Sequence, residues 1–172
     1  AYEITCRDSS SDVCSSDLGE VTVNAYAPAR LVQEFNREAL EIAVESIRIF
    51  SQRYAPYPYT ELDIVATPTL ALGVEYPGLI ALAERLYSPE APSYYLESVT
   101  AHEVGHQWFY NLVGNNQLNQ PWLDESLTQF ITWQYYADRY GEAGARGFKA
   151  SLEERWVGVD KQPIPVGKPV SA

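Results

Sequence analysis

Apolar residues recur at three- and four-residue steps from Leu31 through Phe35, Leu40, Ala43, Val44, Ile47 and Phe50 to about Tyr54, and the Pro56/Pro58 pair follows. That spacing predicts a long amphipathic packing helix stopped by the prolines. Ahead of it Val21, Val23 and Ala25 alternate with Thr22 and Asn24, the period of a half-buried strand ended by Pro28. Leu62 to Ala66 predicts a short buried strand. Ala71 to Val74 and Leu79 to Ala83 predict two more across the turn at Pro77-Gly78, with Glu75 lying between them. A helix from about Ser93 to Leu112, a polar turn from Gly114 to Gln120, and a helix opening at Pro121 or Trp122 and running to Tyr140 come next. Gly141 closes that helix, a further one spans roughly Glu142 to Trp156, and the Pro-punctuated tail from Gln162 to Pro169 has no regular period.

The amino-terminal end reads differently. Tyr2 to Thr5 alternates weakly like a strand, and Cys6 to Gly19 is rich in Ser and Asp, with Ser10-Ser11-Asp12-Val13 echoed by Ser15-Ser16-Asp17-Leu18. An exposed loop, a loop closed by a Cys6 to Cys14 disulfide, and sequence foreign to the domain are the three readings. Residues 1–19 are therefore set apart from a partial domain at 20–172, and no function is drawn from them.

Length and charge narrow the function classes. The 172 residues, 46% of them hydrophobic, suffice for one domain with a real core. With 12 Lys and Arg against 23 Asp and Glu the net charge is −11, and no basic cluster appears, so nucleic acid and anionic membranes are poor partners. The apolar stretches are far shorter than the roughly 20 residues of a bilayer span. The chain starts at Ala1 and contains no Met, which suggests an internal fragment; the sequence assigns no compartment.

The chemistry sits in one helix. The only two histidines, His102 and His106, are four residues apart, with Glu103 directly after the first: H-E-x-x-H. Four helical residues advance about 400°, so both imidazoles leave one face about 6 Å apart along the axis, within reach of one tetrahedral ion. Glu103 is about 100° round, beside the ion rather than on it, where a carboxylate takes a proton from metal-bound water. Glu125 opens the next helix, and an antiparallel helix pair would carry it to the same ion; two imidazoles and one carboxylate leave a fourth position open, the pattern of a catalytic zinc.

The segments His102-Glu103-Val104-Gly105-His106-Gln107-Trp108-Phe109, Asn111-Leu112-Val113-Gly114 and Trp122-Leu123-Asp124-Glu125-Ser126 resemble the gluzincin aminopeptidases, the membrane alanyl aminopeptidase or aminopeptidase N family that includes leukotriene hydrolase. Eighteen residues separate the second His from the Glu ligand in that family, as between His106 and Glu125 here. Leu72-Gly73-Val74-Glu75-Tyr76-Pro77-Gly78 is similar to the family's exopeptidase motif, with Val74 in place of its usual Met. The resemblance runs from roughly Glu20 to Ala172.

It implies an α+β, thermolysin-like zinc metallopeptidase catalytic domain, a small mixed sheet packed on a helical lobe that bears H-E-x-x-H. It further implies one Zn2+ held by His102, His106 and Glu125, Glu103 as general base, and Glu75 as the carboxylate that binds the free α-ammonium of a peptide. Gly73 offers backbone groups to the substrate or serves as an ordinary turn glycine. Trp108, Phe109 and Trp122 are expected to pack in the core and hold the two helices together, with a substrate-pocket role as the alternative, whereas Tyr135, Tyr136 and Tyr140 are expected to pack or to line a rim. The family's oxyanion-stabilising tyrosine is expected beyond Ala172, and its flanking domains lie outside the chain. Hydrolysis of the amino-terminal peptide bond is the expected activity. A truncated zinc-binding but inactive peptide-binding module and a thermolysin-like endopeptidase are the alternatives.

Overall fold

The computed structural model describes residues 4–6, 12–17, 21–31 and 33–157. Their strands, β1 (Ile4–Cys6), β2 (Asp12–Asp17), β3 (Thr22–Ala27), β4 (Glu61–Thr67), β5 (Gly73–Tyr76) and β6 (Leu79–Ala83), form one mixed sheet in the order β1-β2-β3-β4-β6-β5. β4 runs parallel to both β3 and β6, whereas β5 pairs antiparallel with β6 and occupies the sheet edge. Helices α1 (Gln33–Arg53), α2 (Ser93–Gly105) and α3 (Pro121–Val157) complete the α+β arrangement that the resemblance implies.

The apolar period explains the packing. Leu62, Ile64 and Ala66 alternate into the core from β4, opposite Val23 and Ala25 of β3 and Ile80 and Leu82 of β6. On α1, Ala39, Leu40, Ile42, Ala43, Val44, Ile47, Ile49 and Phe50 are all buried, a face too wide for one partner. α1 accordingly packs on the sheet and against both α2 and α3. Trp108 is anchored in that core, its indole N–H donating to the Ala55 carbonyl at 2.9 Å and its ring edge-on to Phe50 and Tyr57.

Three expectations need correction. The strand expected at Ala71 to Val74 lies at Gly73–Tyr76, which puts Glu75 in β5, opposite Ile80, rather than between strands. A tight turn through Pro77 and Gly78 (φ 71°) is the reason: Tyr76 and Leu79 already pair across it. The helix expected to reach Leu112 ends at Gly105, with His106 as its cap. Beyond it the chain turns back through Tyr110, at φ 128°, and the Asn111 N–H returns to the His106 carbonyl at 3.0 Å. Trp122, expected to pack, is 41% exposed, whereas Tyr135 and Tyr136 are buried as expected.

The Ser/Asp-rich stretch, read as a loop or as foreign sequence, supplies the strand Asp12–Asp17 and the end of β1, with Cys6 opposite Cys14 in register. Ladder hydrogen bonds involve backbone alone, so the free edge of β3 templates a strand whatever its side chains. The cysteine side chains, the Gln162 to Pro169 tail and the tyrosine expected past Ala172 lie outside the described residues. Gly141, at φ 66° and ψ −159°, breaks α3 where the sequence places a helix end.

Tyr110 is the single non-glycine residue with positive φ among those described, a conformation that costs an ordinary residue about 1–3 kcal/mol. Tyr110→Gly is expected to raise stability by about 1 kcal/mol, the relief of strain being offset in part by the entropy of glycine. Urea denaturation midpoints of the two proteins test this.

Candidate metal centre

α2 and α3 lie side by side and antiparallel, Glu97 meeting Tyr135 and Tyr140 near one end and Gly105 meeting Thr128 and Ile131 near the other, and their approach depends on Gly105. A Cβ there would lie 2.7 Å from Ile131 Cδ1 and 2.9 Å from Thr128 Cγ2, both on α3. This contact sets His102 and His106 against Glu125. His102 Nε2 lies 3.1 Å from Glu125 Oε2 and 3.2 Å from His106 Nε2, and His106 Nε2 lies 4.0 Å from Glu125 Oε2. Donor atoms bound at ordinary lengths to one tetrahedral Zn2+ are about 3.3–3.5 Å apart, so the triangle of two imidazoles and a carboxylate fits that ion.

The environment fixes the donor state of His106. Its Nδ1 faces the Phe109 carbonyl at 3.0 Å and the Thr128 hydroxyl at 3.2 Å. A carbonyl only accepts, so the proton sits on Nδ1 and the Nε2 lone pair points into the cluster. Burial, and then the neighbouring His102, hold His106 below the usual histidine range, which keeps it neutral. Glu125 stays ionised for the converse reason: the His102 hydrogen bond pulls its carboxyl below the ordinary range. It also sits near the positive end of α3, while the histidines sit at the negative end of α2.

Glu103 projects beside this triangle. It is 6% exposed, and one of its oxygens, Oε2, is buried with no hydrogen-bond partner among the described residues. Glu75, Glu103 and His106 form a second group whose donor atoms lie within 4.8 Å of one another. Burial, then the charges of Glu75 and Glu125, push the Glu103 carboxyl well above the ordinary glutamate value. A dication beside it would reverse that push, so the orphaned oxygen and the crowded carboxylates both suit a cation. Gly73 makes room for Glu103: a Cβ at residue 73 would lie 2.2 Å from Glu103 Oε1. Of the six site residues read from the sequence, His102, His106, Glu125, Glu103 and Glu75 fall into these two overlapping groups, and Gly73, His102, Glu103 and Glu125 line a cleft of about 230 Å³ together with Val99 and Gln129.

Several residues that hold this arrangement were not singled out from the sequence. Gln107, fully buried, donates from Nε2 to the Tyr76 carbonyl at 3.0 Å and accepts the Gly78 N–H at 2.9 Å, clamping the β5–β6 turn to the end of α2. Gln117 donates to Glu75 Oε1 and to Asp124 Oδ2, both at 2.9 Å. The readable signal was a run of amides, Asn115, Asn116, Gln117, Asn119 and Gln120, denser than a solvated turn needs.

Over residues 38–169 the chain matches the peptidase family M1 domain. Aminopeptidase M1-A of Oryza sativa subsp. japonica is 37% identical over 106 residues, 57% of this chain and 12% of that protein. Aminopeptidase N of Canis lupus familiaris is 32% identical over 123 residues, 67% of this chain and again 12% of the relative. The chain therefore spans about an eighth of the length of these relatives. In fold it resembles the M1 zinc metallopeptidase of Deinococcus radiodurans, with a TM-score of 0.61 at 22% identity over 94% of this chain and 34% of that one. A mutant M1 zinc metallopeptidase from the same organism, bound to a Tyr-Ser-Ala substrate, is equally similar, with a TM-score of 0.61 at 21% identity, 94% of this chain and 34% of that one.

Two predictions follow from the surroundings of Glu103. A carboxyl whose folded value is raised favours folding while protonated and loses that advantage as pH climbs above the ordinary value of 4.5. In metal-free protein, Glu103→Gln should therefore leave the melting temperature unchanged near pH 4 and raise it at pH 7 to 8, read by thermal scans in chelator. Gly73→Ala should destabilise by about 1–3 kcal/mol, the range for overpacking, and displace the Glu103 carboxylate. Denaturation and a crystal structure of that variant check both effects.

Proposed function

This chain belongs to peptidase family M1, and from that premise we propose that it forms the catalytic centre of a zinc-dependent aminopeptidase. The observation that carries the reading is the convergence of His102 Nε2, His106 Nε2 and Glu125 Oε2 within 4.8 Å, with Glu103 and Glu75 grouped on His106 beside them. The three donors would hold Zn2+, which when bound supplies a Lewis acid for the scissile carbonyl and makes water more acidic.

The chain's own residues supply the rest. Glu103, buried and with Oε2 unpartnered, is the general base: it takes the proton of the attacking water and returns it to the leaving amine nitrogen. Its neighbour Gly73 leaves the space that this carboxylate occupies. Glu75 receives the α-ammonium of the peptide by a charge-assisted hydrogen bond. Because Glu75 groups with Glu103 and His106 within 4.8 Å, an amine held there puts the first peptide bond, and no later one, beside the base. The carboxylates grouped at the site, Glu75, Glu103 and Glu125, suit a cationic amino terminus over a blocked one.

Elemental analysis of the purified protein is expected to find one zinc per chain, lost in His102→Ala. Glu103→Gln should keep the zinc and lower kcat by about 10²-fold or more. Unblocked aminoacyl substrates should be cleaved and their N-acetyl counterparts rejected, and Glu75→Ala should erase that distinction. Zinc without turnover would instead favour a peptide-binding module, and cleavage of blocked peptides by the wild type an endopeptidase.

A further inference from the structure

The loop between α2 and α3 carries a chain of hydrogen bonds that the reaction as described does not use. Gln117 has one amide nitrogen with two hydrogens, and both are engaged: one donates to Glu75 Oε1 and the other to Asp124 Oδ2, each at 2.9 Å. Asp124 is 2% exposed and directly precedes Glu125. Its second oxygen accepts from Asn115 Nδ2 at 2.9 Å, and Asn115 also donates to the Gln120 carbonyl at 2.9 Å. The result is a relay from the edge strand β5 to the first turn of α3, made entirely of neutral donors and two carboxylates.

The chemistry of that relay is selective. A lysine or arginine in place of Gln117 would also bind Glu75, but its charge would neutralise the carboxylate and repel an incoming ammonium. An amide orients the carboxylate while leaving its charge intact. It also occupies one oxygen only, so Oε2 of Glu75 remains available as an acceptor. Glu75 itself is half-buried on a four-residue edge strand, where nothing else among the described hydrogen bonds fixes its rotamer. The other end of the relay is the residue before Glu125, so the brace sets the distance between the amine acceptor and the metal triangle.

We propose that Gln117 is a positioning residue for amino-terminus recognition, acting through Glu75. The proposal rests on the reading of Glu75 as the α-ammonium acceptor. The probe is alanine amide, titrated calorimetrically into the zinc-loaded protein, with N-acetylalanine amide as the control. Gln117→Ala, and Gln117→Met as a variant that keeps the side-chain bulk, are expected to weaken alanine amide by about tenfold, the worth of an ordering hydrogen bond. Zinc content and binding of the acetylated control should not change. In the Glu75→Ala background the same substitutions should cost nothing more, since the residue through which Gln117 acts is gone.

An equal loss in both backgrounds, or a loss of zinc in the Gln117 variants, would overturn the proposal and make Gln117 a structural support of the loop. Unchanged alanine amide binding in the Gln117 variants, beside a clear loss in Glu75→Ala, would overturn it while leaving the reading of Glu75 intact. If Glu75→Ala itself binds alanine amide as tightly as the wild type, the reading of Glu75 fails and the brace falls with it.

Discussion

The buried amide of Gln107 is the joint between the sheet and the helices that carry the ligands. It faces the Tyr76 carbonyl and the Gly78 N–H, two backbone groups that the tight β5–β6 turn leaves facing inward, and it satisfies both with one side chain. Leaving either group buried without a partner would cost about 1–3 kcal/mol, so the turn and the end of α2 are locked in register. Since Gln107 directly follows His106, the same joint sets the distance from the imidazoles to Gly73 and Glu75 on β5. The distances from strand to base, from base to imidazole and from imidazole to Glu125 all depend on that contact and on the close approach at Gly105.

Local pattern was enough for the parts of the fold whose stability is local or periodic. The 3.6-residue period placed α1 and the two halves of α3 on either side of Gly141, and alternation placed β3, β4 and β6. The four-residue spacing of His102 and His106 gave one helix face. It described ring origins about 6 Å apart along the axis, whereas the structure brings the two Nε2 atoms to 3.2 Å by turning both rings inward. That convergence is a property of rotamers set by Phe109, Thr128 and Glu125, which no spacing reports.

What escaped the sequence was decided by partners far along the chain. Gln107 and Gln117 read as ordinary polar residues until β5 is folded against them, thirty to forty residues away. The end of α2 at Gly105 had no proline or obvious stop; it follows from the tertiary need to bring the chain back toward α3, accepted even at the cost of a strained Tyr110. Residues Asp12 to Asp17 show no strand period because an edge of β3, rather than any pattern of their own, recruits them.

The intimate contact at Gly105 also bears on how much the pattern H-E-x-x-H says. Written as letters, the motif leaves its two middle positions free. In this structure Val104 is fully buried, and Gly105 faces α3 at a distance that excludes even a methyl group. The spacer positions therefore carry information of their own, supplied by excluded volume rather than by reactivity. A chain that matched the three named letters by chance but held a bulky residue at the second spacer would have the right donors and no way to bring a third ligand to them. The physical signature of such a site is accordingly longer than the string used to find it, and the difference is written in the residues that do no chemistry.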